Sequence, residues 1–83
     1  MAKAVKYSVE IFLQSKNMME VSDILKDHFV DDLAGSGMGS GERDVQWIKS
    51  SKADAFLLGR ALSNIAEDRK CDHYIVIRPT KNY

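Results

Sequence analysis

Glycine occupies every second position of the stretch Gly35-Ser36-Gly37-Met38-Gly39-Ser40-Gly41, which holds four of the five glycines in the chain. Glycine adopts positive φ freely and loses the most entropy when it is ordered. The stretch is therefore either a flexible connection or a short edge strand. If it is extended, the side chains of Ser36, Met38 and Ser40 share one face. This alternative decides how many strands the sheet has.

The sequence before the glycines predicts a strand and a helix. Val5, Tyr7, Val9, Ile11 and Leu13 alternate with Lys6, Ser8, Glu10 and Phe12, a period of two that is typical of a half-buried strand. Apolar residues then recur every three or four positions, in a stripe of Met18, Val21, Leu25, Phe29 and Leu33. This stripe predicts an amphipathic helix with Asn17 as its N-cap, bonded reciprocally with Glu20, and Gly35 as its C-cap.

The sequence after the glycines predicts a second strand–helix pair and a last strand. Residues 44–49 are rich in β-branched and aromatic side chains. Ser51 and Asp54 form a capping box, and the helix that follows carries an apolar stripe of Ala55, Leu58, Leu62 and Ile65. Residues 73–78 predict the last strand, which Pro79 closes because proline has no N–H to donate.

This order of elements predicts a single α+β domain over residues 1–83. Two amphipathic helices that each bury one face against a common sheet form a two-layer sandwich. With the glycine stretch as a short second strand, the order is βαββαβ, the ferredoxin-like arrangement. With the stretch as a loop, the sheet has three strands in the order βαβαβ. We expect four strands.

The composition of the chain argues against several classes of protein. Twelve basic and twelve acidic residues cancel, which argues against a dedicated nucleic-acid binder. The single cysteine, Cys71, leaves no intrachain disulfide and favours a reducing compartment. No apolar run is long enough for a membrane span, and residues 1–6 lack the apolar core of a secretion signal. We therefore expect a cytoplasmic protein.

Catalytic and cofactor motifs are not evident. The glycines do not follow the dinucleotide spacing G-x-G-x-x-G, and no Walker lysine follows them. Cys71 and His73 lie two residues apart at a chain junction, too far for a reliable thiolate–imidazole contact. No G-x-S-x-G elbow occurs. We expect a protein without enzymatic activity and without a cofactor.

The sheet face turned away from the helices is the first candidate site. Alternation places Phe12 there if Val9 and Ile11 face the helices. The predicted partner-binding residues on this face are Phe12, Trp47, Tyr74, Val76 and Arg78; in the other register of its strand, Gln46 and Ile48 replace Trp47. Aromatic and aliphatic residues on a bare sheet face more often pack against another protein or a second copy than against bases.

The first helix supplies a second candidate. Asp23, Asp27 and Asp31 are spaced four apart, and five acids against one lysine in residues 17–34 give a local charge of −4. A solvated face is the simpler interpretation, and a basic partner surface is the functional one. A weaker candidate is a divalent-cation site formed by Asp31, Asp32, Glu42 and Asp44.

Three candidate functions remain. We expect a non-enzymatic protein-binding or regulatory module that docks on a partner protein and self-associates, with a homodimer as a candidate assembly. The first alternative is single-stranded nucleic acid on the open sheet face, with phosphate contacts from Lys6, Lys49, Arg78 and Lys81. The second is a small ligand or divalent cation near the glycine stretch.

Overall fold

A computed structural model describes residues 5–80 of the 83-residue chain. Its elements are β1 (Lys6–Leu13), α1 (Met18–His28), β2 (Leu33–Gly39), β3 (Glu42–Lys49), α2 (Lys52–Asp68) and β4 (His73–Thr80). The sheet has the order β2-β3-β1-β4, and every neighbouring pair is antiparallel. The fold is thus α+β with the ferredoxin-like βαββαβ order, and the three-stranded alternative is wrong.

The glycine stretch forms β2 and the turn that follows it. Ser40 and Gly41 have φ of 52° and 78°, which is the pattern of a two-residue type I′ hairpin turn. Within β2, a Cβ added at Gly37 would lie 2.9 Å from Asp44 Oδ1. Glycine at position 37 therefore leaves room for the Asp44 carboxylate on the neighbouring strand.

Helix α1 ends earlier than its apolar stripe predicts. It stops at His28, and Leu33 is the first residue of β2 rather than the last of the stripe. The connection turns through Asp32, whose φ is 65°, and the Leu33 N–H donates to Val30 O at 3.3 Å. Asp31 and Asp32 therefore lie in the connection to β2 rather than in the last turn of the helix.

The two predicted N-caps have different outcomes. Ser51 Oγ accepts from the Asp54 N–H at 3.1 Å, so the capping of α2 is confirmed. Asn17 is the residue before α1 but makes no side-chain cap. Its Nδ2 instead donates to Arg69 O at 2.9 Å, which joins the start of α1 to the end of α2.

The core lies between one face of the sheet and the two helices. Its largest fully buried side chains are Trp47, Ile11, Leu13, Leu25 and Leu62. Trp47 Nε1 donates to Phe29 O at 2.6 Å, and the Trp47 and Phe29 rings meet edge to face at 6.4 Å. This contact satisfies the indole N–H and ties the end of α1 to β3.

Strand β4 continues past the predicted stop at Pro79 and ends at Thr80. Strand β4 is an edge strand of the described sheet, so it has a neighbouring strand on one side only. Proline is tolerated in edge strands because its missing N–H can lie on the side that has no neighbour. Neither helix within residues 5–80 is long and apolar enough to cross a membrane.

Candidate functional site: the open sheet face

Within residues 5–80, both helices pack on the sheet face that carries Val9, Ile11 and Trp47. The alternation of side chains along each strand fixes what the other face presents. We call that second surface the open face; its side chains come from β1, β3 and β4, namely Lys6, Ser8, Glu10, Phe12, Glu42, Asp44, Gln46, Ile48, Tyr74, Val76 and Arg78.

An aromatic pair lies on the open face. Phe12 of β1 is directly opposite Tyr74 of β4, and their rings stack with centroids 4.7 Å apart and planes 13° apart. Tyr74 is 45% exposed. Each ring therefore covers one face of the other, and because β4 is an edge strand, the other face of Tyr74 has no neighbouring strand beside it within residues 5–80. Val76 on the same strand is half-buried.

Carboxylates surround this aromatic pair. Asp44 of β3 is opposite Phe12 on the side away from Tyr74. Glu42 accepts from Gln14 Nε2 at 2.6 Å. Desolvation raises the pKa of Glu10 above its ordinary value of 4.5, a hydrogen bond with Asp44 and the charge of Asp44 raise it further, and Arg78 acts in the opposite direction. One end of the open face is therefore acidic.

The phenol of Tyr74 responds to the same charges. Partial desolvation raises its pKa above 10.0, and the charge of Glu42, a hydrogen bond with Glu42 and the charge of Glu10 add to this effect. Negative charge near a phenol disfavours the phenolate. Tyr74 thus stays a neutral hydroxyl beside carboxylates at neutral pH.

The opposite end of the open face is polar and basic. Arg78 is opposite Ser8, and Lys6 is opposite Thr80. Ser8 is buried, and its Oγ accepts from Gln46 Nε2 at 2.7 Å across β1 and β3. This hydrogen bond satisfies two polar groups at the centre of the sheet.

Trp47 does not belong to the open face. It is opposite Val9, fully buried under α1, and the register leaves its neighbours Gln46 and Ile48 on the open face instead. The placement of Trp47 at a partner surface is therefore wrong, because a large indole in a small domain stabilises most when it fills the core. Phe12, Tyr74, Val76 and Arg78 do come together as expected, and their binding role stays a prediction.

The acidic residues of the first helix do not form one continuous helix face. Asp23 and Asp27 are exposed on α1, but Asp31 lies in the turn after α1 has ended. Asp32 pairs with Lys49 Nζ at 3.0 Å. Lys49 lies on the helix side of the sheet, opposite Tyr7, so it is not available to a ligand on the open face.

The four acids of the cation hypothesis are not brought together. Asp31 and Asp32 precede β2, whereas Glu42 begins β3 at the other end of the same hairpin. Asp44 is opposite Gly37 in the middle of the hairpin. Among residues 5–80, no group of three or more acidic, histidine or cysteine side chains is arranged to hold a metal ion.

The structure also forms a serine–histidine contact that the sequence did not indicate. Ser63 Oγ lies 2.9 Å from His73 Nε2, and His73 Nδ1 lies 2.9 Å from Cys71 O. A carbonyl only accepts, so Nδ1 carries a proton here. The backbone N–H groups of residues 70–72 already donate within the chain, so they supply no oxyanion donor. We interpret this contact as one that fixes the start of β4 to α2.

Comparison with known proteins supports the architecture. Solved structures match the fold; one is described as a de novo designed protein, Foldit4, with a TM-score of 0.55 and 13% identity over 95% of this chain and 98% of that one. At this identity, the likeness shows the fold alone. No protein-family model and no curated protein matches the sequence. The fold and the site together define a small α+β domain with a partly aromatic sheet face that neither helix of residues 5–80 covers.

Proposed function

We propose that this chain is a non-enzymatic protein-binding module that docks an arginine- or lysine-bearing segment of a partner protein on its open face. The observation that carries the proposal is the exposed stack of Phe12 on Tyr74 beside the carboxylates of Glu10 and Glu42. By binding its partner, such a module would regulate the partner's activity without catalysing a reaction. Free, buried Cys71 is compatible with a reducing cytoplasm as its location.

A cationic side chain fits both halves of this site. A guanidinium placed over an aromatic face is attracted to the ring, and this attraction contributes about 0.5–1 kcal/mol to binding at exposed sites. The same guanidinium can donate paired hydrogen bonds to a neighbouring carboxylate. Aromatic residues are also enriched at protein interfaces, and tyrosine is common among the few residues that contribute most of the binding energy.

The same charges disfavour the nucleic-acid alternative. A base stacked on Tyr74 would bring its phosphates close to Glu42 and Glu10, where negative charge repels them. Lys49 is paired with Asp32 on the other side of the sheet, which removes one of the proposed phosphate contacts. Lys81 lies outside the described residues. Of the four proposed phosphate contacts, the described residues place Lys6 and Arg78 on the open face, at the end away from the aromatic pair.

The test is an NMR titration of the labelled protein with short arginine-rich and lysine-rich peptides, an acidic peptide and a mixed single-stranded oligonucleotide. We expect the basic peptides to shift amide signals of β1, β3 and β4, and Tyr74→Ala to weaken that binding by about two- to fivefold. Phe56→Ala is the matched control, because Phe56 is a comparably exposed ring on α2 (51%). Failure of every basic peptide to bind, or equal loss in both variants, contradicts the proposal. Preferential binding of the oligonucleotide at physiological salt would favour the nucleic-acid alternative.

A further inference from the structure

Strand β2 is an edge of the sheet without the usual protection. Among residues 5–80 it pairs only with β3, and the helices pack over β1, β3 and β4 rather than over β2. Edge strands are normally protected by proline, by charged side chains or by a covering element. Strand β2 has the sequence Leu-Ala-Gly-Ser-Gly-Met-Gly, which includes neither a charge nor a proline.

The register identifies the backbone groups that face outward. In a type I′ turn the Gly39 carbonyl bonds the Glu42 N–H, which makes these two residues a hydrogen-bonded pair. Hydrogen-bonded and non-bonded pairs alternate along an antiparallel ladder. Gly37 therefore bonds toward β3, whereas the N–H and C=O groups of Ser36 and Met38 point away from the sheet.

The other edge of the sheet is different. Strand β4 carries Pro79 and the exposed Arg78, two features that oppose the addition of a further strand. If one edge of the sheet is open and the other is protected, two copies can pair through their open edges. The combined sheet then has only protected edges. Such self-pairing is isologous and gives a closed two-fold dimer rather than a filament.

We propose that β2 pairs antiparallel with β2 of a second copy, about a two-fold axis at Gly37, to form a continuous eight-stranded sheet. Ser36 then bonds Met38 of the partner subunit, and the symmetric pair repeats this contact, for about four hydrogen bonds in total. An axis at Gly37 keeps the contact clear of the irregularity between Leu33 and Gly35. This inference is independent of the proposed function, because β2 contributes no side chain to the open face.

The side chains of β2 suit a second copy as the occupant. Because β2 is uncharged, two copies meet there without like-charge repulsion, and glycine at position 37 allows the closest approach at the axis. Met38 lies on the helix side of the sheet and is 56% exposed, and Leu33 on the same side is 38% exposed. Pairing places the exposed Met38 side chains of both copies beside the joint between the sheets, where part of their apolar surface leaves water.

The test is sedimentation equilibrium of the whole chain from about 10 μM to about 1 mM, the range in which a small interface associates. We expect a monomer–dimer equilibrium, with Ser36 and Met38 amides protected from hydrogen exchange as concentration rises. Ser36→Pro removes an outward N–H while keeping the ladder to β3, and it should raise the dimer dissociation constant about tenfold or more. Met38→Glu places a charge on the edge strand, opposite Arg43. It should also raise the dimer dissociation constant, and it does so without introducing a proline.

Two control variants show whether the two copies associate through β2. Met19→Glu makes the same exchange at an exposed methionine on α1 (45%) and should leave the equilibrium unchanged. Tyr74→Ala should also leave it unchanged, because it alters only the open face. If Ser36→Pro does not fold, Met38→Glu carries the test. A chain that stays monomeric at about 1 mM overturns the inference, and so does a dimer that resists both edge variants or is lost with Tyr74→Ala.

Discussion

Replacing Glu10 with glutamine should stabilise the protein at neutral pH. Glu10 lies half-buried in the central strand, within the influence of the Asp44 carboxyl on β3. Desolvation and Asp44 both raise its pKa, so the folded state favours the protonated form of Glu10 more than the unfolded chain does. An amide at this position keeps the hydrogen-bonding capacity toward Asp44 and removes the repulsion between the two carboxylates.

The raised pKa of Glu10 determines how the stability of the folded protein changes with pH. A raised folded-state pKa contributes stability that is fully present below the ordinary value of 4.5 and is lost as pH rises through the folded-state pKa. The gain from Glu10→Gln should therefore be absent near pH 4 and complete at pH 7. Directly opposite cross-strand pairs are worth about 0.2–1 kcal/mol. Glu10 and Asp44 are diagonal neighbours, and this placement, solvent screening and Arg78 put their repulsion in the lower part of that range. A gain of about 0.5 kcal/mol corresponds to a rise in Tm of about 2–4 °C for a domain of this size.

The assay is thermal unfolding followed by circular dichroism, for wild type and Glu10→Gln, at several pH values between 4 and 7. Asp44→Asn should give a similar gain at pH 7, and the double variant should gain less than the sum, because either change alone removes the repulsion. High salt should reduce the difference. A fall in Tm at pH 7 on Glu10→Gln would refute the reasoning, since it would mean that attraction between Glu10 and Arg78 outweighs the repulsion from Asp44.

Three further changes test the packing. Trp47→Phe leaves the Phe29 carbonyl without its donor and opens a cavity, so chemical denaturation should show a loss of about 2–4 kcal/mol; a loss below about 1 kcal/mol would contradict the assigned role of the indole. Gly59→Val places its branches against Ile77 Cδ1, which an added Cβ already approaches to 3.0 Å, and should lower stability by about 1–3 kcal/mol. Ser51→Ala removes the cap of α2 and should cost about 1 kcal/mol, measured as a lower Tm; an unchanged Tm would mean that water replaces the cap.

Local patterns predicted most of the fold, and the exceptions have a common cause. Residues 5–13 show strand periodicity, residues 73–78 are rich in β-branched and aromatic side chains, and α2 carries its own cap, so short-range signals were sufficient there. The end of α1 depends on Leu33, which fits both the helical stripe and the start of a strand. Pairing of Leu33 with Trp47 in the β2–β3 hairpin resolves this ambiguity, and the apolar stripe of the helix does not contain that pairing.

The candidate site was predicted in part for a similar reason. The face of Phe12 follows from alternation within its own strand, but the face of Trp47 depends on which side of β3 meets the core. A signal was present, because Val45 shares the side of Trp47 while the polar Asp44 and Gln46 share the other. The acidic surroundings of the aromatic pair follow from the pairing of β1 with β3, which alternation within one strand does not give.

Lys6 is opposite Thr80 in the sheet, and Thr80 Oγ1 donates to Lys6 O at 3.3 Å across 74 positions of sequence. The pairing of β1 with β4 therefore joins the two most distant parts of the described chain, and distant pairings slow folding because a large loop must close first. A circularly permuted chain, joined by a short linker between these strands and opened at Val30–Asp31 in the connection from α1 to β2, would make that contact local and keep the β2–β3 hairpin intact. It should reach the same sheet at a higher folding rate.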